Sequence, residues 1–247
     1  IHEQNSIIGR SNKLFINFTN KFFVNFDKKY NLKNKYKEKI YVVGLPEKTI
    51  NKENKISKKN NKTKKLNIFV YGGSQGSLTL INLIQNILEE INNKYLNKIN
   101  FIIQCPKQYE KIILDNLKFN NCNYLIKEFF NNIDEILLKT DLIISRAGAG
   151  TINDIIKFKI PSILIPLPFS KDNHQYENAL TLYNKECALL IKEKSDDLNK
   201  VVNYIEEFII DNSKLNIFVE NLKKINSYNA NELMLNAILN EKKTKKY

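Results

Sequence analysis

From Leu66 onward the sequence switches repeatedly between two periods. Short continuous apolar runs, "LNIFVYG", "INFIIQC", "CNYLIKEF", "DLIISRAG", "PSILIPLP" and "CALLIKE", suit strands buried on both faces. Between them lie segments whose apolar residues recur every three or four positions. The stripe Leu80, Leu83, Ile84, Ile87, Leu88 and Ile91 is the first of these, and such spacing reads as a helix with one buried face. Strands alternating with helices of this size imply βα units and a parallel sheet, an α/β fold. The same constraint says where a ligand belongs, because open parallel sheets bind beyond the C-terminal ends of their strands.

The sequence before Leu66 has a different texture. "SIIGRSNKLFINFTNKFFVNF" carries helix-spaced apolar residues, then alternates toward "KIYVVGLP". The latter reads as a strand over Lys39–Val43, ended by Gly44 and Pro46. "EKTINKENKISKKNNKTKK" is polar, cationic and without period. Residues 50–65 therefore read as a basic solvated linker between a first unit, 1–49, and a second, 66–226.

Composition narrows the function classes. The chain has 247 residues, 43% hydrophobic and 26% charged, which is globular rather than disordered. Its net charge of +13 is almost all lysine, since Arg10 and Arg146 are the only arginines. A Lys/Asn/Ile bias follows from an AT-rich genome, and arginine–aromatic interleaving is lacking, so nucleic-acid binding is not expected. A basic surface still favours anionic partners such as nucleotides and acidic lipid. Cys105, Cys122 and Cys187 are odd in number and widely spaced, so neither a disulfide framework nor a zinc site is expected. The best candidate for a membrane span, "IPSILIPLPF", is broken by prolines. No signal peptide is visible. The chain starts at Ile1 rather than Met, as a fragment would.

Three strand-end loops stand out. In "FVYGGSQGSLTLIN" a strand turns into a helix through Gly73, Ser74 and Gln75. Glycines allow close backbone approach, and a helix N-terminus offers free N–H donors and partial positive charge to a phosphate. A tight turn with a serine cap is the plain alternative. In "SRAGAGTINDII" a strand again ends in small residues and a helix begins, with Thr151 placed to cap it. Asp154 reads either as a first-turn dipole partner or as an acceptor for two ribose hydroxyls. In "PLPFSKDNHQYENAL", Asp172 or Asn173 is placed to cap a helix that opens with His174 and Gln175. A histidine there suits a structural or solvent-facing role, whereas the Gln175 amide suits sugar hydroxyls. Two phosphate-friendly helix ends at one sheet edge favour a nucleoside diphosphate ligand.

The segments "IHEQNSIIGRSNK", "VVGLP", "GGSQGS", "SRAGAGTINDII", "IPSILIPLP" and "DNHQYENA" resemble the MurG family of transferases. These move N-acetylglucosamine from UDP-GlcNAc to lipid I, forming lipid II for peptidoglycan. The resemblance runs in order over nearly the whole chain. It implies a GT-B fold: a nearly complete C-terminal Rossmann-like domain plus a remnant of the N-terminal, acceptor-side domain over 1–49. Residues 227–247 then resemble the family's closing helix with a basic tail. It also implies an inverting, metal-independent transfer with no cofactor. UDP-GlcNAc would be bound through Asn5, Lys48, Ser74, Phe130, Ala149, Gly150, Thr151, Ile152, Asn153, Asp154 and Gln175, with Gly73, Gln75 and His174 as secondary contacts. Asp154 stands where the family commonly has a glutamate, Lys48 where it has an arginine, and His174 where it has a glutamine. The family's glycine-rich acceptor loop, which carries a candidate base, has no counterpart, so no catalytic base is assigned. Lipid I and anionic phospholipid are the expected partners, at the cytoplasmic face of a bacterial inner membrane without a spanning segment. Two rival readings are the donor half of another UDP-sugar transferase with a separate acceptor chain, and a non-catalytic nucleotide-binding protein.

Overall fold

A computed structural model of the chain describes residues 1–46, 65–72, 78–91, 93–119, 123–193 and 195–244. Lys48, Gly73, Ser74, Gln75, Cys122 and nearly all of the basic linker lie outside the described residues.

The alternation after Leu66 becomes a six-stranded parallel sheet. Its strands are β4 (Leu66–Tyr71), β5 (Ile99–Gln104), β6 (Asn123–Lys127), β7 (Leu142–Ser145), β8 (Ser162–Leu164) and β9 (Ala188–Leu190). Their order is β6-β5-β4-β7-β8-β9, so the chain first winds outward from β4 to β6, then returns to β7 and winds the other way. Every apolar run predicted as a strand is one. Side chains alternate between two cores, as the strand period demands. Ile68, Val70, Leu142 and Ile144 face one cluster; Phe69, Ile143 and Leu164 face the other. The first face is covered by α2 (Leu78–Glu90), α4 (Lys107–Phe119), α8 (Ser195–Ile210) and α9 (Ser213–Lys223). Of the stripe read from the sequence, Leu83 and Ile87 are fully buried and the others nearly so. The second face is covered by α5 (Ile133–Lys139), α6 (Ala149–Phe158) and α7 (His174–Tyr183). A short α3 (Asn93–Leu96) precedes β5.

The N-terminal segment holds more strand than its pattern suggests. β1 (His2–Glu3), β2 (Phe22–Val24) and β3 (Ile40–Val42) form a three-stranded parallel sheet. The expected strand over Lys39–Val43 is β3. The helical reading around it reduces to α1 (Arg10–Phe15) and short 3₁₀ turns. Phe22 and Val24 pack with Ile8, Ile16 and Tyr36 on one side. Phe23 faces the other side, where Ala230, Met234 and Ala237 of α10 (Ala230–Thr244) close over it. Two chain crossings thus join the units, one through Gly44 and one through Tyr228. Gly44 has a φ of +83°, and a Cβ there would sit 3.2 Å from the Tyr228 Cβ. Both the left-handed backbone and the close approach require glycine.

Candidate functional site

β4 and β7 are neighbours whose connections leave in opposite directions, so the crevice at their C-terminal ends is the topological switch point of the sheet. Tyr71 ends β4 opposite Ser145 at the end of β7. The two loops singled out in the sequence leave from these ends. The first, 73–77, lies outside the described residues.

The second leads into α6. Its N-cap is Gly148, in extended conformation, with no side-chain capping bond. Thr151, the expected cap, is instead the third helical residue. The Ile152 N–H is the first to find an intrahelical carbonyl, donating to Gly148 O at 3.0 Å. The preceding N–H groups, of Ala149, Gly150 and Thr151, are the orphan donors of the helix start. Gly150 is exposed, and an added Cβ would meet nothing within 4 Å. Ile152 has its side chain fully buried in the core. Asp154 lies beyond the first turn, which holds no acidic residue. The dipole reading therefore loses its geometry, because that effect fades within one turn. Asp154 lies near Tyr71: burial raises the Tyr71 phenol above its ordinary value, and the charge of Asp154 adds to it. Tyr71 stacks on Phe69 at 5.4 Å, and Phe69 meets Phe130 edge-on at 5.7 Å. Phe130 ends this aromatic row with its side chain buried.

The third loop brings Asp172, Asn173, His174 and Gln175 to the start of α7. Asp172 and Asn173 both have left-handed backbone, with φ of 53° and 56°, a conformation that short polar residues tolerate best. Asn173 occupies the N-cap position but makes no capping bond. The Ser170 hydroxyl accepts the Gln175 N–H at 3.3 Å. The Gln175 Oε1 accepts the Leu167 N–H at 3.0 Å, so the acceptor half of this amide is already engaged. Asp172 pairs with Arg10 of α1 at 2.9 Å.

Two residues passed over in the sequence organise the crevice. Asn178, fully buried on α7, accepts the Ser6 N–H at 2.8 Å. Its Nδ2 donates to Ala147 O at 3.1 Å and to Asn5 Oδ1 at 3.2 Å. It thereby holds Asn5 of the N-terminal unit beside the loop that starts α6. Buried Glu3 shapes the other side of that segment, accepting the Asn5 and Gly9 N–H groups at 2.9 and 2.7 Å. Arg146, directly after β7, donates to Ile165 O at 3.1 Å and to Glu193 Oε2 at 2.6 Å. Glu193 also accepts the Thr79 hydroxyl at the start of α2. Burial pushes the Glu193 carboxyl up, but the hydrogen bonds from Arg146 and Thr79 outweigh it and hold the group below its ordinary value. One ion pair thus ties the ends of β7, β8 and β9 to the helix that follows the first glycine loop. The sequence signals were only a lone arginine and an asparagine within "ENAL". Their partners lie far along the chain.

Among the described residues, no helix is long and apolar enough to cross a membrane, and no group of three or more His, Cys, Asp or Glu could hold a metal ion. Cys105 and Cys187 are buried free thiols.

Comparison with known proteins agrees with this fold. The chain is 34% identical over 227 residues to a Rickettsia bellii protein described as "UDP-N-acetylglucosamine--N-acetylmuramyl-(pentapeptide) pyrophosphoryl-undecaprenol N-acetylglucosamine transferase". That alignment covers 91% of this chain and 63% of the relative. The chain therefore spans less than two thirds of that relative's length. The crystal structure of Acinetobacter baumannii MurG superposes with a TM-score of 0.78 at 22% identity, covering 97% of this chain and 67% of that one. The kitacinnamycin glycosyltransferase superposes at 0.62 and 14% identity, covering 92% and 55%. The fold is the GT-B type expected. Residues 67–233 match the glycosyltransferase family 28 C-terminal domain, and the chain belongs to that family.

Proposed function

We propose that this chain holds UDP-N-acetylglucosamine in the β4/β7 crevice and supplies the donor side of N-acetylglucosamine transfer to lipid I. The observation that carries the reading is the open N-terminus of α6 at the switch point, with Asn5 held beside it by Asn178. The diphosphate takes the free N–H groups of Ala149, Gly150 and Thr151, and the Ser74 hydroxyl. Asp154 receives the ribose hydroxyls, the Phe130 backbone meets the uracil, and Asn5 and Gln175 face the sugar. Ile152 serves through packing. His174 completes the surroundings; Lys48, Gly73 and Gln75 are assigned to the donor from the family resemblance alone, and Asn153 lines a neighbouring cavity instead.

In the transfer, an acceptor hydroxyl oxygen bonds to the anomeric carbon as the bond from that carbon to the diphosphate breaks. The electron pair leaves with UDP and the hydroxyl proton passes to a base. Fixed N–H donors aimed at the diphosphate stabilise the charge that builds there. The proton acceptor is assigned to no residue of this chain. The chain alone should accordingly bind donor without turning it over. Leu14, Phe15 and Phe18 are 66%, 53% and 82% exposed, close in sequence to Lys13 and Lys21. That apolar and cationic surface supports peripheral contact with anionic lipid at the cytoplasmic face of a bacterial membrane.

Calorimetric titration with UDP-GlcNAc, UDP and UDP-glucose tests the donor site. UDP-GlcNAc should bind saturably and more tightly than UDP-glucose, and absence of any uridine nucleotide binding would sink the reading. Robust lipid II formation by this chain alone would overturn the assignment of the base elsewhere.

A further inference from the structure

A cavity of about 390 Å³ lies against α6 and α7, lined by residues of both units. Its wall combines Asn25 to Lys28 and Gly44 of the N-terminal unit, one face each of α6 and α7, and the crossing segment Lys224–Tyr228. Its volume is that of a small-molecule site, which typically needs roughly 300 Å³ or more.

We propose that this hinge cavity binds a phosphorylated monosaccharide at a site separate from the donor crevice. The charges on the wall select an anion. Lys28 is paired with Glu177 at 3.8 Å, which leaves Lys185 and Lys224 against the single carboxylate of Asp27 among the lining residues. Lys224 donates to the neutral amide of Asn221 at 2.9 Å. Lys159 adds a third cation behind the wall, with its Nζ donating to Ile225 O at 2.9 Å. Burial raises the nearby Cys187 thiol above its ordinary value; the positive charges of Lys185, Lys159 and Lys224 oppose the rise, and the single negative charge of Glu186 adds to it. The uncharged part of the wall suits a sugar. Thr181, Asn184 and Ser227 offer an amide and hydroxyls, and Phe26 and Tyr228 offer apolar rings to C–H faces.

The placement gives an occupant leverage on the donor site. α6 presents Asn153 and Ile156 to the cavity and carries Asp154. On α7, Glu177 and Thr181 line the cavity while Asn178 between them holds Asn5 and Ala147. Gly44 and Tyr228, from the two chain crossings, touch at the cavity edge. A ligand bridging these elements fixes the angle between the units.

The test is thermal-shift and calorimetric titration of the whole chain with glucose 6-phosphate, glucose and inorganic phosphate, each with and without saturating UDP. Glucose 6-phosphate should bind saturably both with and without UDP, its affinity shifted by UDP through the angle between the units but not abolished, with the other two at least tenfold weaker. The exposed pair Lys185→Glu/Lys224→Glu should weaken it at least tenfold. So should Ser227→Trp, which fills the cavity from an exposed position and keeps the test valid if charge reversal impairs folding. Absence of saturable binding, displacement by UDP, equal binding by both variants, or inorganic phosphate binding as tightly as the sugar phosphate would each overturn the proposal. UDP binding is measured in the same samples, so failure of the hinge site and failure of the donor reading are separately visible.

Discussion

Gly148 offers the cleanest separation of folding from binding. Its φ of −66° and ψ of 152° are open to any L-residue. An added Cβ would meet only the Thr151 Oγ1, at an unstrained 3.9 Å. Nothing in the folded chain therefore requires glycine, and the space left by the missing Cβ is what a diphosphate at the α6 N-terminus needs. In Gly148→Ala two small stability terms oppose each other. Alanine is a poorer N-cap than glycine by about 0.5 kcal/mol, and it lowers the entropy of the unfolded chain by a comparable 0.4–1 kcal/mol. The net change is within about 0.5 kcal/mol. For a chain of this size that moves Tm by about 2 °C or less. Binding should respond far more. A phosphate oxygen accepting an N–H at about 2.9 Å lies within reach of the new methyl, and at least a tenfold loss in UDP-GlcNAc affinity, about 1.4 kcal/mol, is expected. Differential scanning calorimetry and isothermal titration on the same preparation read both numbers. Affinity within twofold of the parent at unchanged Tm would remove the diphosphate from this helix end. A fall in Tm beyond about 5 °C would show that Gly148 serves packing after all.

Two further substitutions probe the supports of the crevice. Asn178→Ala strips partners from the buried Ser6 N–H and Ala147 O. It should cost about 3 kcal/mol, seen as a Tm loss of roughly 6–12 °C, and a loss under 2 °C would refute the role given to this amide. Glu193→Gln tests the ion pair with Arg146 by its pH dependence. The folded carboxyl titrates below its ordinary value, so its stabilisation is complete above the unfolded pKa of about 4.3 and is lost as pH falls through the lower folded value. The parent should therefore lose more Tm than the variant between pH 5 and pH 3. Parallel curves would show that Glu193 contributes nothing through its charge.

The second unit was legible because burial on both faces writes itself into the sequence as uninterrupted apolar runs. β4 to β9 and the helices between them follow from that signal alone. β1 and β2 were not legible. "HE" and "FFV" are too short to show a period, and Phe22 and Phe23 are buried on opposite sides of one thin sheet. Helix starts misled for a different reason. Thr151 is a favoured capping residue type, yet it does not cap, because an extended Gly148 begins α6 earlier. That shift carried Asp154 out of the first turn. Loop composition can mark a strand-end crevice, but the register of its helix depends on backbone angles that composition does not encode.

The crevice is therefore built by one set of residues and offered to a ligand by another. Glu3, Asn178, Arg146 and Glu193 hold backbone groups or one another across long stretches of chain, and all are largely buried. Buried polar groups cost most when one partner is removed, so changing any of these should lower stability first and affinity as a consequence. Gly150 is exposed, and Gly148 and Gln175 are half-buried; apart from the Leu167 N–H at Gln175, their substitution leaves no protein group unpaired and should move affinity with little change in Tm. Plotting the change in affinity against the change in Tm for both sets should give two separate trends. If the points fall on one line, the crevice is only a well-packed loop cluster, and the ligand belongs elsewhere on the molecule.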